Sequence, residues 1–336
     1  MKTLSQYQPT PDSVWKGRID DLHDHDAWRW HQLVERIDLR DSALHPLREG
    51  QSGFCLLGYC CDKGVVKNLG RPGAAKGPRN IRRELANLPR SFDHSIRIFD
   101  AGNITCERNS MENSQEQLAI AIGKILDMQL IPIVLGGSHD VALGHYTGIL
   151  DFNKDQAVQT GIINLDAHFD LRPYGDGGNS GTMFLQIADL CRNRGRDFPY
   201  LCIGIQKTAN TVQLLKKADE LRAQYILEKD IYESALPQIK EKINAFIDKQ
   251  DQLYLTLCSD VFSAAYAPGV SATQPFGMHP EMVLTLLKYI ISSGKVISFD
   301  IAEVAPRFDE DNRTAKLAAI TIFAVINTMI EQKNEK

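Results

Sequence analysis

Short apolar runs recur along this chain, and each stops at polar or turn residues. Residues 54–59, 96–100, 131–135, 161–165, 200–205, 253–257 and 295–300 have the length and aliphatic content of buried strands. Between them, apolar residues fall at helical spacing. Pro78 opens a helix over 79–85, where proline at the first turn is tolerated. Leu118, Ala121, Ile122 and Ile125 mark a helix over 114–128. Further helices are predicted over 140–150, 187–192, 236–249, 280–292 and 314–330, with a loop from Gly73 to Gly77. Strands alternating with helices predict an α/β fold: one mostly parallel sheet covered by helices on both faces.

Several of these strands end in residues that bind cations. Gly161-Ile162-Ile163 runs into Asn164-Leu165-Asp166-Ala167-His168-Phe169-Asp170. An extended backbone sends alternate side chains the same way, so Asp166, His168 and Asp170 would start on one side, about 7 Å apart. Two carboxylates and an imidazole suit a hard or borderline divalent cation; a solvated loop is the plainer reading. The run 131–135 stops at Gly136-Gly137-Ser138-His139-Asp140, and 253–257 stops at Cys258-Ser259-Asp260. The last strand runs into Asp300-Ile301-Ala302-Glu303, placing more carboxylate near the same rim. Open parallel sheets bind ligands in the crevice outside the carboxyl ends of their strands, so the coincidence outweighs any one motif.

Composition narrows the classes. No Pro/Gly/Ser linker divides the 336 residues, which read as an amino-terminal extension over 1–50 and one domain over 51–336. A hydrophobic share of 43% supports a large core, and a net charge of −4 argues against binding nucleic acid through phosphate contacts. No run approaches the ~18 apolar residues of a bilayer span, and the start Met1-Lys2-Thr3-Leu4-Ser5-Gln6 is no signal peptide. Seven cysteines without zinc-ribbon spacing fit a reducing cytosol, with Cys60-Cys61 as inert packing. A cytoplasmic protein with no membrane or nucleic-acid partner is expected.

In order and spacing, the segments 136–140, 166–170, 258–260 and 300–303 resemble the ureohydrolase family, which holds arginases, agmatinases and formimidoylglutamases. The resemblance covers roughly Phe54 to Ile330. Trp15-Lys16-Gly17-Arg18, Arg29-Trp30-His31-Gln32 and Ala267-Pro268-Gly269-Val270-Ser271-Ala272 look like the formimidoylglutamase branch. The resemblance implies one three-layer α/β/α domain of the arginase type, a homo-oligomer and two Mn2+ ions per subunit. Carried over by residue, His139 and Asp170 would bind one ion, His168 and Asp260 the other, and Asp166 and Cys258 would bridge. A pair of ions about 3.5–4 Å apart lowers the pKa of a shared water. Cys258 stands where arginases and agmatinases place Asp. It is either a soft ligand in a site better suited to oxygen donors, or a small buried residue at a strand end.

The remaining candidates carry two readings each. Glu303 matches the family glutamate that receives the cationic end of the substrate, or it is a capping or surface ion pair. Asp140 is a partner that orients a metal ligand, or a charge at a helix start. Arg172 replaces an arginase asparagine beside Asp170 and reads a substrate carboxylate, or it is a structural ion-pair partner. Ser180 and Gly181 match the family, and Phe184 stands where arginase has a proton-shuttling histidine. Thr256 is read as core packing, His145 as a structural histidine, and His23, His25 and His31 as a solvated turn. The implied activity is hydrolysis of N-formimidoyl-L-glutamate, a small-molecule substrate, to L-glutamate and formamide. Asp170 would carry the proton to the leaving nitrogen. The rivals are a urea-releasing guanidino hydrolase and a metal-binding regulatory protein without turnover.

Overall fold

A computed structural model of the chain describes residues 4–41, 44, 47, 51–106 and 110–334. The strands are β1 (Tyr7–Gln8), β2 (Glu35–Arg36), β3 (Ser52–Cys60), β4 (Ile96–Thr105), β5 (Ile131–Leu135), β6 (Thr160–Leu165), β7 (Tyr200–Ile205), β8 (Gln224–Leu227), β9 (Gln252–Cys258) and β10 (Val296–Ala302). The helices are α1 (Trp30–Leu33), α2 (Lys63–Lys67), α3 (Gly77–Leu85), α4 (Met111–Asp127), α5 (Val141–Phe152), α6 (Met183–Asn193), α7 (Val212–Glu220), α8 (Leu236–Ile247), α9 (Pro280–Ile291) and α10 (Arg313–Asn334). Among the described residues the strands form one sheet in the order β1-β4-β3-β5-β10-β9-β6-β7-β8, with β2 also on β4. Only the β1–β4 pairing is antiparallel there.

The two-residue period of each strand divides the core into two layers. On β9, Leu253, Leu255 and Leu257 face the layer built with α3, α8, α9 and α10, while Tyr254 faces the one built with α4, α5, α6 and α7. The three-layer α/β arrangement is the predicted one, and most elements fall within a few residues of their predicted bounds. Three departures have physical reasons. β4 runs five residues past Asp100 because Gly102, at φ +77°, lets the chain bend there and go on pairing with β3. α7 and β8 lie at the sheet edge, where little is buried, so their sequences are too polar to stand out.

The third departure is α10. The sequence shows no bilayer-length apolar run, yet by length and composition Arg313–Lys333 is long and apolar enough to cross a membrane. Its Ala315, Ala318, Ala319, Ile322, Val325 and Ile326 are buried in the core with residues of α3 and α9. That apolarity is spent on packing, as in the core helix of an α/β fold. Of the start read as carrying no signal peptide, Met1–Thr3 lie outside the described residues.

Described parts of the amino-terminal segment are laced onto β4, through β1, β2 and Trp15. Trp30 is fully buried, and Trp15 Nε1 donates to Asp100 Oδ2 at 2.6 Å. Asp100 also takes a two-pronged ion pair from buried Arg82 of α3, with Nη2–Oδ1 at 2.8 Å and Nε–Oδ2 at 3.0 Å. Arg82 further donates to Asn103 Oδ1 and Gly102 O. Removing one partner of a buried pair strands the other charge. Arg82→Met should therefore destabilise the fold by about 3–5 kcal/mol, read as a drop in the midpoint of chemical unfolding.

Candidate metal centre

The carboxyl ends of β5, β10, β9 and β6 lie side by side at the middle of the sheet. Each contributes from the turn that follows it: His139 after β5, Glu303 after β10, Cys258 and Asp260 from the end of β9, and Asp166, His168 and Asp170 after β6. The extended geometry expected for 166–170 does not hold. β6 stops at Leu165, and the next residues turn, with His168 N–H donating to Asp166 Oδ1 at 2.8 Å. The turn brings all three side chains inward anyway. It ends with Asp170 at φ +51°, and Glu303 sits at φ +66°. Left-handed backbone at non-glycine residues is strained, and the surrounding fold holds it at both positions.

These side chains converge. His139 Nδ1 lies 3.0 Å from Asp166 Oδ2 and 3.3 Å from Asp170 Oδ2. His168 Nδ1 lies 3.5 Å from Asp166 Oδ1 and 3.2 Å from Asp260 Oδ2. The two oxygens of Asp166 thus face two separate donor sets. Ligand atoms of His139, Asp166 and Cys258 form one group within 4.8 Å, and those of Asp166, His168 and Asp260 form a second. Among the described residues no other His, Cys, Asp and Glu side chains group this way, and His23, His25 and His31 do not.

The electrostatics favour a cation. His139 Nδ1, Asp260 Oδ1 and Glu303 Oε2 are buried without hydrogen-bond partners. Burial, reinforced by the charge of Asp260, pushes the Glu303 carboxyl up to about 8. Burial and the Asp166 charge push Asp170 up to about 6. Burial disfavours both imidazolium ions, yet the neighbouring acids raise His139 and His168 well above the ordinary histidine range. The Cys258 thiol is pushed well up by burial and then by Asp166, Asp260 and Glu303. Among the described residues, no lysine or arginine forms an ion pair with these acids. Oxygen and imidazole donors around shared Asp166 fit two divalent ions of the manganese type, with the Cys258 sulfur the one soft donor.

Other expectations divide. His145 is a satisfied buried histidine: Nδ1 bonds Asp300 Oδ2 at 2.7 Å and Nε2 bonds Ser298 Oγ. Thr256 is not mere packing, because its Oγ lies 3.0 Å from His139 Nε2 and donates to Asp300 Oδ1 at 2.5 Å. Asp300 lies below the rim rather than on it, fully buried. Asp140 starts α5 but does not touch the His139 ring. It accepts from Tyr59 OH at 2.9 Å, Gln115 Nε2 at 3.1 Å and Ser138 Oγ, fastening the loop to β3 and α4. Glu303 Oε1 accepts the His139 N–H at 2.8 Å, so the glutamate is neither helix cap nor surface ion pair.

Above the cluster opens a cavity of about 500 Å³, lined by Asn68, Arg71, Arg172, Ser180, Ser271 and Glu303 among others. Arg172 forms no ion pair with a described residue. A Cβ at Gly181 would come within 2.9 Å of Arg172 Cδ and 3.0 Å of Asn68 Nδ2, so the absence of a side chain there lets both lie against the loop. Ser180 Oγ accepts from Asn68 at 3.3 Å. Phe184 is fully buried, edge-on to the His139 ring at 5.7 Å and stacked on Tyr200. No motif pointed to Asn68 or Arg71. Arg71 is anchored to Ser271 O at 2.9 Å and Val270 O at 2.7 Å, contacts between segments 200 residues apart.

The family whose sequence model matches residues 52–327 is described as the Arginase family. A formimidoylglutamase of Clostridium tetani is 50% identical over 326 residues, 96% of each chain. One of Geobacillus sp. is 42% identical over 93% of this chain and 94% of its own. Among solved structures, formimidoylglutamase of Bacillus subtilis matches with a TM-score of 0.79 at 23% identity, over 94% of this chain and 95% of that one. A Trypanosoma cruzi formiminoglutamase solved with Mn2+ matches with a TM-score of 0.72 at 22% identity, covering 85% and 96%. These two structural likenesses show a shared fold.

A ligand that binds only the folded state stabilises it by mass action. Mn2+ at one hundred times its dissociation constant should stabilise the metal-free protein by about 2.7 kcal/mol in thermal or chemical unfolding. At one fixed Mn2+ concentration the gain should be smaller at pH 6 than at pH 8, because the raised histidines hold protons that the ion must displace. An unfolding curve that Mn2+ leaves unmoved would exclude a metal centre here.

Proposed function

The chain belongs to the arginase family, and we propose that it hydrolyses N-formimidoyl-L-glutamate to L-glutamate and formamide. The relatives that share 50% and 42% identity over nearly the whole chain bear that activity in their names. One observation carries the reading. A single cavity presents an unbonded carboxylate oxygen, Glu303 Oε2, beside the acid–imidazole cluster, and a guanidinium without an ion-pair partner, Arg172, in its lining. Those are receptors for the two ends of a substrate that is an amidinium at one end and a dicarboxylate at the other.

In this reading His139, Asp170, Asp166 and Cys258 hold one divalent ion, and Asp166, His168 and Asp260 hold the second. Manganese is our assignment. When bound, such a pair lowers the pKa of water so that a nucleophile forms near neutral pH. Glu303 Oε2 takes the amidinium and aligns its carbon, while Oε1 stays fixed on the His139 N–H. Arg172 takes a carboxylate, supported by Ser180 and Asn68. Water adds to the formimidoyl carbon, and Asp170 accepts the proton released. Asp170 then gives that proton to the nitrogen of the glutamate, the C–N bond breaks, the hydroxyl proton passes to the departing amine, and the carbon leaves as formamide. Phe184 cannot carry a proton, so Asp170 is the acid–base group at hand.

Assays after purification with manganese should show glutamate and formamide from formimidoylglutamate, and no urea from arginine or agmatine. Urea as the main product would overturn the assignment. A charged hydrogen bond is worth about 1.5–3 kcal/mol, which corresponds to roughly 10–150-fold in affinity. Arg172→Ala should raise KM by that factor while kcat falls far less. An unchanged KM would remove Arg172 from substrate recognition.

A further inference from the structure

The polar layer beneath the cluster fixes where one proton sits. Asp300 is fully buried. Its Oδ2 receives Tyr254 OH and His145 Nδ1, and its Oδ1 receives the Thr256 hydroxyl at 2.5 Å. A carboxylate facing three such donors acts as an acceptor throughout. Thr256 has a single hydroxyl proton, and that proton points at Asp300. The only role left to Thr256 Oγ toward His139 Nε2, 3.0 Å away, is to accept. His139 Nε2 therefore carries a hydrogen. When the ring is neutral, its lone pair is on Nδ1, the atom that faces Asp166 at 3.0 Å and Asp170 at 3.3 Å.

We propose that Thr256 and Asp300 form a positioning relay that holds His139 as the Nε2–H tautomer with Nδ1 directed at the metal centre, and so sets the affinity of the ion shared by His139 and Asp170. The inference rests on the metal-centre reading above. Ligands whose second nitrogen is fixed in this way lose 10–100-fold in metal affinity when the outer partner is removed. The relay reaches only one of the two histidines. His168 makes no contact with Thr256 or Asp300 among its described ion-pair and hydrogen-bond partners. The effect is therefore selective, which distinguishes positioning from a general loss of packing.

The test is Mn2+ titration by calorimetry, with metal content and electron paramagnetic resonance, on the wild type, Thr256→Val and Thr256→Ser. The valine variant keeps the shape and removes the hydroxyl. It should lose 10–100-fold in affinity for one ion only, and the spin-coupled pair signal should give way to that of an isolated ion. Thr256→Ser should restore the second ion. Asp300→Asn should weaken the same ion, and the Thr256→Val/Asp300→Asn double variant should lose less than the sum of the two singles. Unchanged binding of both ions in Thr256→Val would overturn the relay, as would equal weakening of both, or strictly additive losses. A wild-type protein that takes up no Mn2+ would instead defeat the metal-centre reading itself, and the relay with it.

Discussion

Three buried carboxylates, Asp166, Asp260 and Glu303, and the partly buried Asp170 share one crevice, where two imidazoles are their only ion-pair partners among the described residues. Carboxylates are rarely buried unless something positive is buried with them. Here the acids are not each given an arginine or lysine, as Asp100 is given Arg82. Their oxygens are turned toward one another and toward two ring nitrogens. A structural ion-pair network would not leave Asp260 Oδ1 and Glu303 Oε2 unbonded. The arrangement makes energetic sense around cations, and the rest of the fold can be understood as what keeps it from relaxing.

The sheet does most of that work. Four neighbouring parallel strands end together, so their terminal turns have no freedom to splay. Asp170 and Glu303 pass through left-handed backbone at those ends. Such conformations cost of order 1–3 kcal/mol each and persist only where the surroundings determine them. Backbone bonds do so here: Phe184 N–H reaches Asp170 O at 3.2 Å, and Glu303 N–H reaches Gly137 O at 2.8 Å. The loop bearing His139 is fastened a second time, through Asp140, to Tyr59 and Gln115. Preorganisation thus reaches the reacting groups through the backbone, and the side chains need few contacts of their own.

What the sequence revealed and what it hid follow from one distinction. Strand ends were legible because apolar runs break abruptly at ionisable residues, as at Leu135, Leu165 and Leu257. The three-layer architecture was legible because strand and helix periods alternate. The role of Thr256 was hidden, although a signal existed: a hydroxyl inside an apolar strand, with Ser298 and Asp300 in the strand beside it. Buried polar residues need partners, and these three share one face. A partner of Ser298 and Asp300, His145, comes from a helix about 155 residues away in the chain, so only the folded chain joins them. Arg71 and Asn68 stayed hidden for the same reason. The edge elements α7 and β8 were missed because an edge buries too little to impose a pattern.

Cys258 shows how the same constraint shapes chemistry. A carboxylate at that position would add a fifth negative charge to the crevice. A thiol adds none until it ionises, and burial among Asp166, Asp260 and Glu303 holds it protonated. An ion held by His139, Asp166 and Cys258 would supply the field that reverses this, since a coordinating thiol is deprotonated outright. Binding of that ion and ionisation of Cys258 are then one event, and each proton released ties affinity to pH. Because the thiol must give up its proton before it can act as a ligand, an ion there would compete with that proton for the sulfur. The same feature weakens the grip on the ion nearest Cys258. That is also the ion His139 serves, so the loss of a hard ligand on one side makes the orientation of the imidazole on the other side count for more.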